Sequence, residues 1–393
     1  MRAIEIQSNE DRTIQKARRL TWAMSGVVAL LTTLEAASGQ FYQQTNLVSD
    51  VAGLAMAKDT NLIGAWGITA SPTSPWWVNS TVGGRSLIIN GAGQPQSLVV
   101  TIPPTNGATA TAIVFNGGLG FQVSTGEPAV FLFATLNGVL SGWNPGQSNR
   151  TVAKVVVNNA GKAGYTGLTI AQSGGKDFLY AANYFGDRIE VFDTNFNAVA
   201  VTNGAFEDGR VPGGFSVFNI QLISSNHLYV TYAPTNALGG PAIPGNGFVD
   251  VYSPEGELLH RLRHGPWMNS PWGVTVAPGD FGRFSHKLLV GMFGSGNIAA
   301  FDLRRGHFRG VLRGTDEAPL TLSQGLWGLG FGNGASAGPT NVLYFAQDIV
   351  NTNGFHGLFG AIMTAPGGPD NDGDRDDQMG QDQDDDDEGQ DHP

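Results

Sequence analysis

Cysteine is absent from the 393-residue sequence, and its absence narrows the chemistry that the chain can perform. Without thiols there is no disulfide framework, no thiol nucleophile and no cysteine-ligated zinc site. Charged residues are also few, at 14% of the chain, and no basic cluster lies beyond the first 39 positions. Nucleic-acid binding, which needs a concentrated positive surface, is therefore not expected.

Several well-known enzyme motifs are missing as well. The sequence has no nucleotide-binding fingerprint, no HxH pair and no HExxH motif. Its one G-x-S-x-G match, at 334–338, lies in a run of small turn-forming residues and lacks the strand–turn–helix setting of a nucleophile elbow. Gly294-Ser295-Gly296 has the composition of a tight turn and lacks the strand–turn–helix setting of a nucleophilic serine. An active site would have to be assembled from residues far apart in the sequence. The sequence alone leaves open whether the chain is an enzyme.

The first 39 residues have the pattern of an export signal. Four basic residues between positions 12 and 19 precede an apolar run at 20–34, and small residues follow at 36–39. A retained signal anchor is the alternative, although the run is short for a membrane span of about 20 residues. We expect a secreted, extracellular or periplasmic protein with no stable membrane span after signal removal.

The last 27 residues, 367–393, are predicted to form a disordered acidic tail. Residues 370–393 hold twelve acidic residues and one arginine, a net charge of −11 that equals the charge of the whole chain. The run at 370–376 resembles the start of a calcium loop but lacks its terminal glutamate. A solubilising role is favoured over loose binding of calcium.

Glycine is abundant, with 56 residues, and it marks a repeat of short apolar runs. The clearest unit spans residues 270–302, where Gly, Pro, Asp and Ser separate three such runs. A period of about 50 residues with three or four strands is typical of a β-propeller blade. The sequence thus predicts an all-β, six-bladed β-propeller over residues 40–366. The aligned glycines, at intervals of 47 to 59 residues, are Gly67, Gly120, Gly167, Gly214, Gly273 and Gly328.

The sixth unit lacks an obvious fourth strand, which raises the question of how the ring closes. Residues 42–48 precede the first repeat and have strand composition. Pairing this segment with the last strand would remove the free edges of the sheet. We therefore predict that an N-terminal strand closes the propeller.

A resemblance to a known family rests on segments spread over residues 41–364. They read YQQTNLVSDVAG, AWGITASP, VFNIQ, YVTYA, GFVDVYSPEGELLHRL, SPWGVTVAP, LLVGMFGSGNIAAFD, LWGLGFGNG, LYFAQ and HGLFG. In these segments the chain resembles an uncharacterised family of exported six-bladed β-propellers, distantly related to NHL-repeat and lactonase-like propellers. The resemblance implies the fold and export, and it implies no activity. It also implies an Asn-Phe-Gly-Asp-Gly hairpin, in which Met292 and Ser295 here replace Asn and Asp.

One hypothesis is a metal-dependent, lactonase-like hydrolase with a site at the central channel. Carboxylate and amide oxygens from several blades would bind calcium or another divalent cation, which would activate water or an ester carbonyl. No glutamate lies near the start of the first blade, where lactonase-like propellers carry a ligand, and this weakens the hypothesis. Turn capping by the same side chains is the alternative. The candidate ligands are Asn183, Asp187, Asn219, Asn297 and Asp348, with His356 as a further loop candidate.

The favoured hypothesis is a binding or scaffold module for a protein or glycan partner. The long loop at 234–247 and the aromatic residues Trp76, Trp77 and Trp267 are candidates for its contact surface. Packing inside the blades is the alternative for the paired tryptophans, and Trp143 fits either role. Trp66, Trp272 and Trp327 are expected to fill space between blades. We expect a monomer.

Overall fold

The computed structural model describes residues 38–224, 226–351 and 354–366. The predicted acidic tail, and all but the last two residues of the predicted export signal, lie outside these ranges. Within them the fold is all β, as predicted, and the one helical element is a 3-10 turn at Gly282–Phe284. In the same ranges no helix is long and apolar enough to cross a membrane.

The strands are numbered in chain order. In the first half they are β1 (Ser38–Ser49), β2 (Ala57–Lys58), β3 (Ala65–Thr69), β4 (Trp76–Ser80), β5 (Arg85–Ile89), β6 (Pro95–Thr101), β7 (Ala110–Phe115), β8 (Gln122–Ser124), β9 (Glu127–Pro128), β10 (Phe131–Thr135), β11 (Val139–Trp143), β12 (Lys154–Asn158), β13 (Tyr165–Ser173) and β14 (Lys176–Asn183). In the second half they are β15 (Arg188–Phe192), β16 (Ala198–Val199), β17 (Phe215–Ile223), β18 (His227–Pro234), β19 (Phe248–Tyr252), β20 (Leu258–Arg261), β21 (Pro271–Val276), β22 (Leu288–Met292), β23 (Ile298–Phe301), β24 (Phe308–Val311), β25 (Leu326–Phe331), β26 (Leu343–Asn351) and β27 (Gly354–Pro366).

These strands form six antiparallel blades, which confirms the predicted six-bladed propeller. Blades 1, 3, 4 and 5 are the consecutive sets β3–β6, β13–β16, β17–β20 and β21–β24. Blade 2 combines β7 with β10, β11 and β12, and the hairpin β8–β9 is inserted after its first strand. Blade 6 runs β25, β26, β27 and then β1, with β2 beside β1. Five blades are thus local in sequence, and the sixth joins the two ends of the described chain.

The N-terminal strand closes the ring, as predicted. Strand β1 pairs antiparallel with β27, from Ser38 opposite Pro366 to Ser49 opposite Leu358. The strand also reaches its other neighbour, since the Tyr42 hydroxyl donates to the carbonyl of Phe281 in blade 5 at 3.0 Å. Closing the ring in this way joins the two ends of the described chain in one blade, with nine paired positions between β1 and β27.

The first strands of neighbouring blades approach so closely that they exclude side chains at certain positions. A Cβ at Gly273 would lie 2.3 Å from the carbonyl oxygen of Trp327, and one at Gly328 would lie 2.8 Å from the carbonyl oxygen of Trp66. Real Cβ contacts are essentially never shorter than 3.0 Å. Gly67 and Gly167 meet the next blade in the same way, so four of the aligned glycines mark the axis.

The other two aligned glycines do not occupy that position. Gly120 precedes the inserted hairpin, and Gly214 adopts φ +92° in an open turn with nothing within 4 Å of a Cβ. The equivalent inner positions are Ala112, which the backbone of Gly67 approaches, and Asn219, which Gly167 approaches. Alignment on glycine fails in these two blades because a glycine that serves a turn looks the same in sequence as one that serves a close approach.

Candidate functional site

Strand alternation gives the propeller two distinct faces. Each blade starts its first strand at one face, which therefore holds the hairpins between second and third strands and the crossovers between blades. We call it the crossover face. The opposite face holds the remaining hairpins and both ends of the described chain, because Ser38 is paired with Pro366. We call it the terminal face.

Exposed apolar side chains occupy hairpin tips on the crossover face. The tips lie in blades 1, 3, 4 and 6, and the one in blade 4 belongs to the long loop predicted as a functional candidate. Large apolar side chains at such positions gain nothing for folding while they face water. The exposed residues are Val82 (52%), Phe185 (64%), Ile243 (46%), Val350 (67%) and Phe355 (52%).

The tryptophans predicted to form an aromatic surface are mostly buried. Trp76 and Trp77 are 3% and 4% exposed, and the indole of Trp143 donates to the carbonyl of Arg150 inside blade 2. Trp267 is half-buried and stacks on Phe308 with ring centroids 3.9 Å apart. The packing alternative for the paired tryptophans is therefore the correct one.

Three further tryptophans meet at the propeller axis. Trp66 stacks on Trp327 with ring centroids 3.6 Å apart, and Trp272 lies edge-on to both at 6.4 and 5.7 Å. Blades 1 and 5 are not neighbours, and so the contact of Trp66 with Trp272 spans the axis. As predicted, all three residues are buried and fill space between blades, and that space lies at the axis of the ring.

The channel beneath this cluster is almost filled. The cavity between the inner strands has a volume of about 30 Å³, which has room for about two water molecules. Its polar lining includes Asn219, whose amide donates to the carbonyl of Trp272 at 2.7 Å, and Gln221, whose carbonyl accepts from the Val274 amide at 3.1 Å. This space is too small for an organic substrate.

Asp348 stands out among the predicted residues because one of its oxygens has no partner. It lies near the end of β26 at the crossover face and is 7% exposed. Its Oδ2 accepts from the indole N–H of Trp327 at 3.0 Å, whereas Oδ1 is buried without a hydrogen bond from any described residue. Burial raises the pKa of this carboxyl group from 3.8 to about 7. Perturbed carboxyl groups of this kind occur preferentially at functional sites.

Asn183 and Asp187 lie together in the hairpin between β14 and β15, where they shape the turn. The Asn183 carbonyl accepts from the amides of Gly164 and Gly186, each at 3.0 Å, and its amide donates to Glu190 at 2.9 Å. Asp187 adopts φ +47° and accepts from the Val217 amide at 3.2 Å. The contact of Asn183 with Gly186 matches the turn-capping alternative, whereas the Asp187 carboxylate links the hairpin to β17 of the next blade.

Asn219 and Asn297 lie in blades 4 and 5, outside the hairpin that holds the first pair. Asn219 lines the small axial cavity, and Asn297 accepts from the hydroxyl of Thr321 at 2.9 Å in blade 5. Among the described residues no group of three or more His, Asp or Glu lies close enough to share a metal ion. A divalent-cation site formed by these residues stays a prediction.

His356 belongs to the closure of the ring. Its Nδ1 lies 2.7 Å from Oδ2 of Asp50, and the amide of Gly357 donates to Oδ1 of the same carboxylate at 2.9 Å. Asp50 directly follows β1, and so this contact fastens the closing strand at the crossover face. Sequence reasoning missed Asp50 because its partners lie more than 300 positions away.

Comparison with known proteins agrees with this architecture. No protein-family profile matches the chain. "Uncharacterized protein L690" of Acanthamoeba polyphaga mimivirus is 30% identical over 295 residues, which cover 72% of this chain and 77% of that protein. "Uncharacterized protein R648" of the same virus is 29% identical over 303 residues, with 72% of each chain covered.

The fold and these relatives define a family of uncharacterised six-bladed propellers. This chain belongs to the family of the mimivirus proteins. A solved structure of a protein of unknown function from Bacteroides thetaiotaomicron is similar in fold alone, with a TM-score of 0.50 and 12% identity. That similarity covers 84% of this chain and 74% of the other.

Proposed function

We propose that this protein is an exported binding module that docks a protein partner on its crossover face. The exposed apolar hairpin tips of four blades carry the proposal. Six further large apolar side chains are exposed outside these tips. The proposal therefore rests on the grouping of five at the tips of one face, because grouped exposed apolar residues are typical of an interaction surface. Export is supported by the pattern of the first 39 residues.

The composition of the surface favours a protein partner over a glycan. Aliphatic Val82, Ile243 and Val350 accompany the two phenylalanines. Glycan recognition needs polar groups that pair with sugar hydroxyls, whereas apolar hot spots surrounded by polar residues are typical of protein interfaces. The nearly filled axis directs binding to the surface of the ring rather than its channel.

Substitution on each face tests the proposal. Phe185→Ser and Phe355→Ser remove exposed rings from the crossover face, and Leu119→Ser removes a side chain that is 84% exposed on the terminal face. The purified protein is immobilised, and bound material from the extracellular fraction of the source organism is measured by quantitative mass spectrometry. We expect a partner that the wild type and Leu119→Ser retain equally and that the two phenylalanine variants lose at least tenfold.

The opposite pattern contradicts the proposal. A partner lost only with Leu119→Ser would place the interface on the terminal face. A labelled glycan array forms the second arm of the experiment. If one glycan class binds and no protein is retained, the partner is a glycan and the proposal of a protein partner is contradicted.

A metal-dependent, lactonase-like hydrolase is the second candidate, and the observation in its favour is Asp348. A carboxyl group with a pKa of about 7 suits general acid–base catalysis at neutral pH. The discriminating measurement is metal content of the purified protein by mass spectrometry, paired with melting temperature with and without chelator. One tightly held divalent cation, with a lower melting temperature in chelator, would favour the hydrolase over the binding module.

A further inference from the structure

Two buried side chains with unpartnered oxygens border Gly64 beneath the crossover face, at the junction of blades 6 and 1. Oδ1 of Asp348 and Oγ1 of Thr81 are both buried and accept no hydrogen bond from the described residues. Both side chains border the same point, since a Cβ at Gly64 would lie 3.0 Å from Asp348 Oδ1 and 3.3 Å from Thr81 Cβ. A buried acceptor left unpaired costs about 1–3 kcal/mol, more when charged, and such a pair calls for a donor.

No cation within the described residues neutralises this carboxylate. Asp348 forms no salt bridge there, and burial is the main cause of its raised pKa, opposed only by the Trp327 hydrogen bond. The nearest charged groups on packed elements are already engaged. The Asp50 carboxylate is hydrogen-bonded to the His356 ring and to the Gly357 amide. The Arg85 guanidinium lies against the side-chain carbonyl of Asn61. The missing donor is therefore best supplied from outside the chain.

We propose that Asp348 Oδ1 and Thr81 Oγ1 together bind a primary ammonium group, the lysine side chain of the protein partner. This proposal rests on the proposed function, because the lysine arrives with a partner docked on the crossover face. An ammonium group has three donors and a positive charge, which suit one carboxylate oxygen and one hydroxyl. A desolvated pair of this kind strengthens in a water-excluded interface.

The Asp348 and Thr81 side chains lie beneath the crossover face, and a lysine side chain would reach them from that face. Val82 covers the pair, with its Cγ2 3.6 Å from the Cβ position at Gly64, and its side chain is half exposed. Hydrogen bonds from the Thr81 amide to the Gly64 carbonyl and from the Val82 amide to the Ile63 carbonyl hold this hairpin, so entry of a ligand requires displacement of the Val82 side chain. Val350 and Phe355 face each other across the adjacent hairpin of blade 6 and supply an apolar rim. A lysine flanked by apolar residues fits this arrangement.

The first test uses n-butylammonium as the probe, since it reproduces a lysine side chain without a partner. Binding is followed at pH 8, where Asp348 is ionised, by tryptophan fluorescence, because the Trp327 indole shares the carboxylate. We expect saturable binding that weakens at least tenfold in Asp348→Asn and severalfold in Thr81→Val. Val82→Ala removes the cover and should tighten binding, a gain that damage to the fold would not produce.

Matched probes and conditions complete the design. Tetramethylammonium carries the same charge without an N–H donor and should not bind. At pH 5.5 the carboxyl group is protonated, and binding of n-butylammonium should be lost. A lysine peptide, acetyl-Val-Lys-Val-amide, should bind more tightly than n-butylammonium because its valines contact the apolar rim. If the peptide binds no more tightly than n-butylammonium, the ammonium group does not come from a lysine of a protein partner, and a free amine is the ligand.

Failure of this site and failure of the proposed function give different results. No saturable binding, or equal binding by Asp348→Asn, overturns the ammonium site. If the ammonium site is overturned but Phe185→Ser and Phe355→Ser still lose a partner, the proposed docking surface on the crossover face remains supported. Leu119→Ser, on the terminal face, should leave the binding of both n-butylammonium and the peptide unchanged.

Discussion

Replacing Tyr42 by alanine tests whether the closing strand holds the propeller together. Its side chain is 1% exposed and packs on the rings of Phe281 and Phe284, with centroids 4.9 and 6.1 Å away. The hydroxyl donates to the Phe281 carbonyl at 3.0 Å and accepts from the Phe284 amide at 3.2 Å. Tyr42 thus joins the outer strand of blade 6 to the adjacent blade 5.

The contacts set the size of the effect. Removal of a buried aromatic ring costs about 3–5 kcal/mol. Loss of the hydroxyl leaves the buried Phe284 amide unpaired, which adds about 1–3 kcal/mol. We therefore expect Tyr42→Ala to lower the free energy of unfolding by about 5 kcal/mol. Tyr42→Phe retains the ring and should lower it by about 1–2 kcal/mol.

Equilibrium urea unfolding, followed by tryptophan fluorescence, measures both variants. Met363→Ala is the matched control, since Met363 lies on β27 opposite Gln43 of the closing strand and is 42% exposed. This control should stay within about 0.5 kcal/mol of the wild type. The reasoning fails if Tyr42→Ala falls within about 1 kcal/mol of the wild type, or if it is no less stable than Tyr42→Phe.

Two further predictions concern the core. Burial raises the pKa of Asp348 from 3.8 to about 7, so the folded state binds the extra proton and stability falls as pH rises from about 4 to 7, by at most roughly 4 kcal/mol. Asp348→Asn should remove this slope in urea unfolding at pH 5 and pH 8, and an unchanged slope would assign it to other groups. Gly273→Ala forces a Cβ to 2.3 Å from the Trp327 carbonyl and should destabilise by about 3 kcal/mol, whereas Gly209→Ala, with nothing within 4 Å, should be neutral. Similar unfolding midpoints for the two glycine variants would contradict the close approach at the axis.

The fold was predictable because its signals are local. Each blade has short apolar runs separated by turn residues, and the period of the runs identifies a propeller without knowledge of distant contacts. Ring closure followed from a shortage of strands at one end and a spare strand at the other. The alignment failed at Gly120 and Gly214 because Ala112 and Asn219 occupy the close approach in those blades.

The candidate site was predictable only in part. Asp348 was selected by residue type, yet the feature that distinguishes it is an unpartnered oxygen beside Thr81, which lies in another blade. Asn183 and Asp187 have the same residue types as metal ligands, but the Asn183 oxygen caps a turn and an Asp187 oxygen accepts from the Val217 amide in the next blade. Residue type gives a list of donors and acceptors, whereas the hydrogen bonds that are already made decide which of them remain free.

The closing strand also sets the order in which the protein folds. The hydroxyl of Ser49 donates to the carbonyl of Gly357, 308 residues further along the chain. At about 5–20 residues per second, β1 waits roughly 15 to 60 s for its partner strand to be synthesised. Blades 1 to 5 can form meanwhile, but the ring stays open until the last strand arrives. A chain that ends before β27 has no closed ring, and so closure acts as a check on complete synthesis.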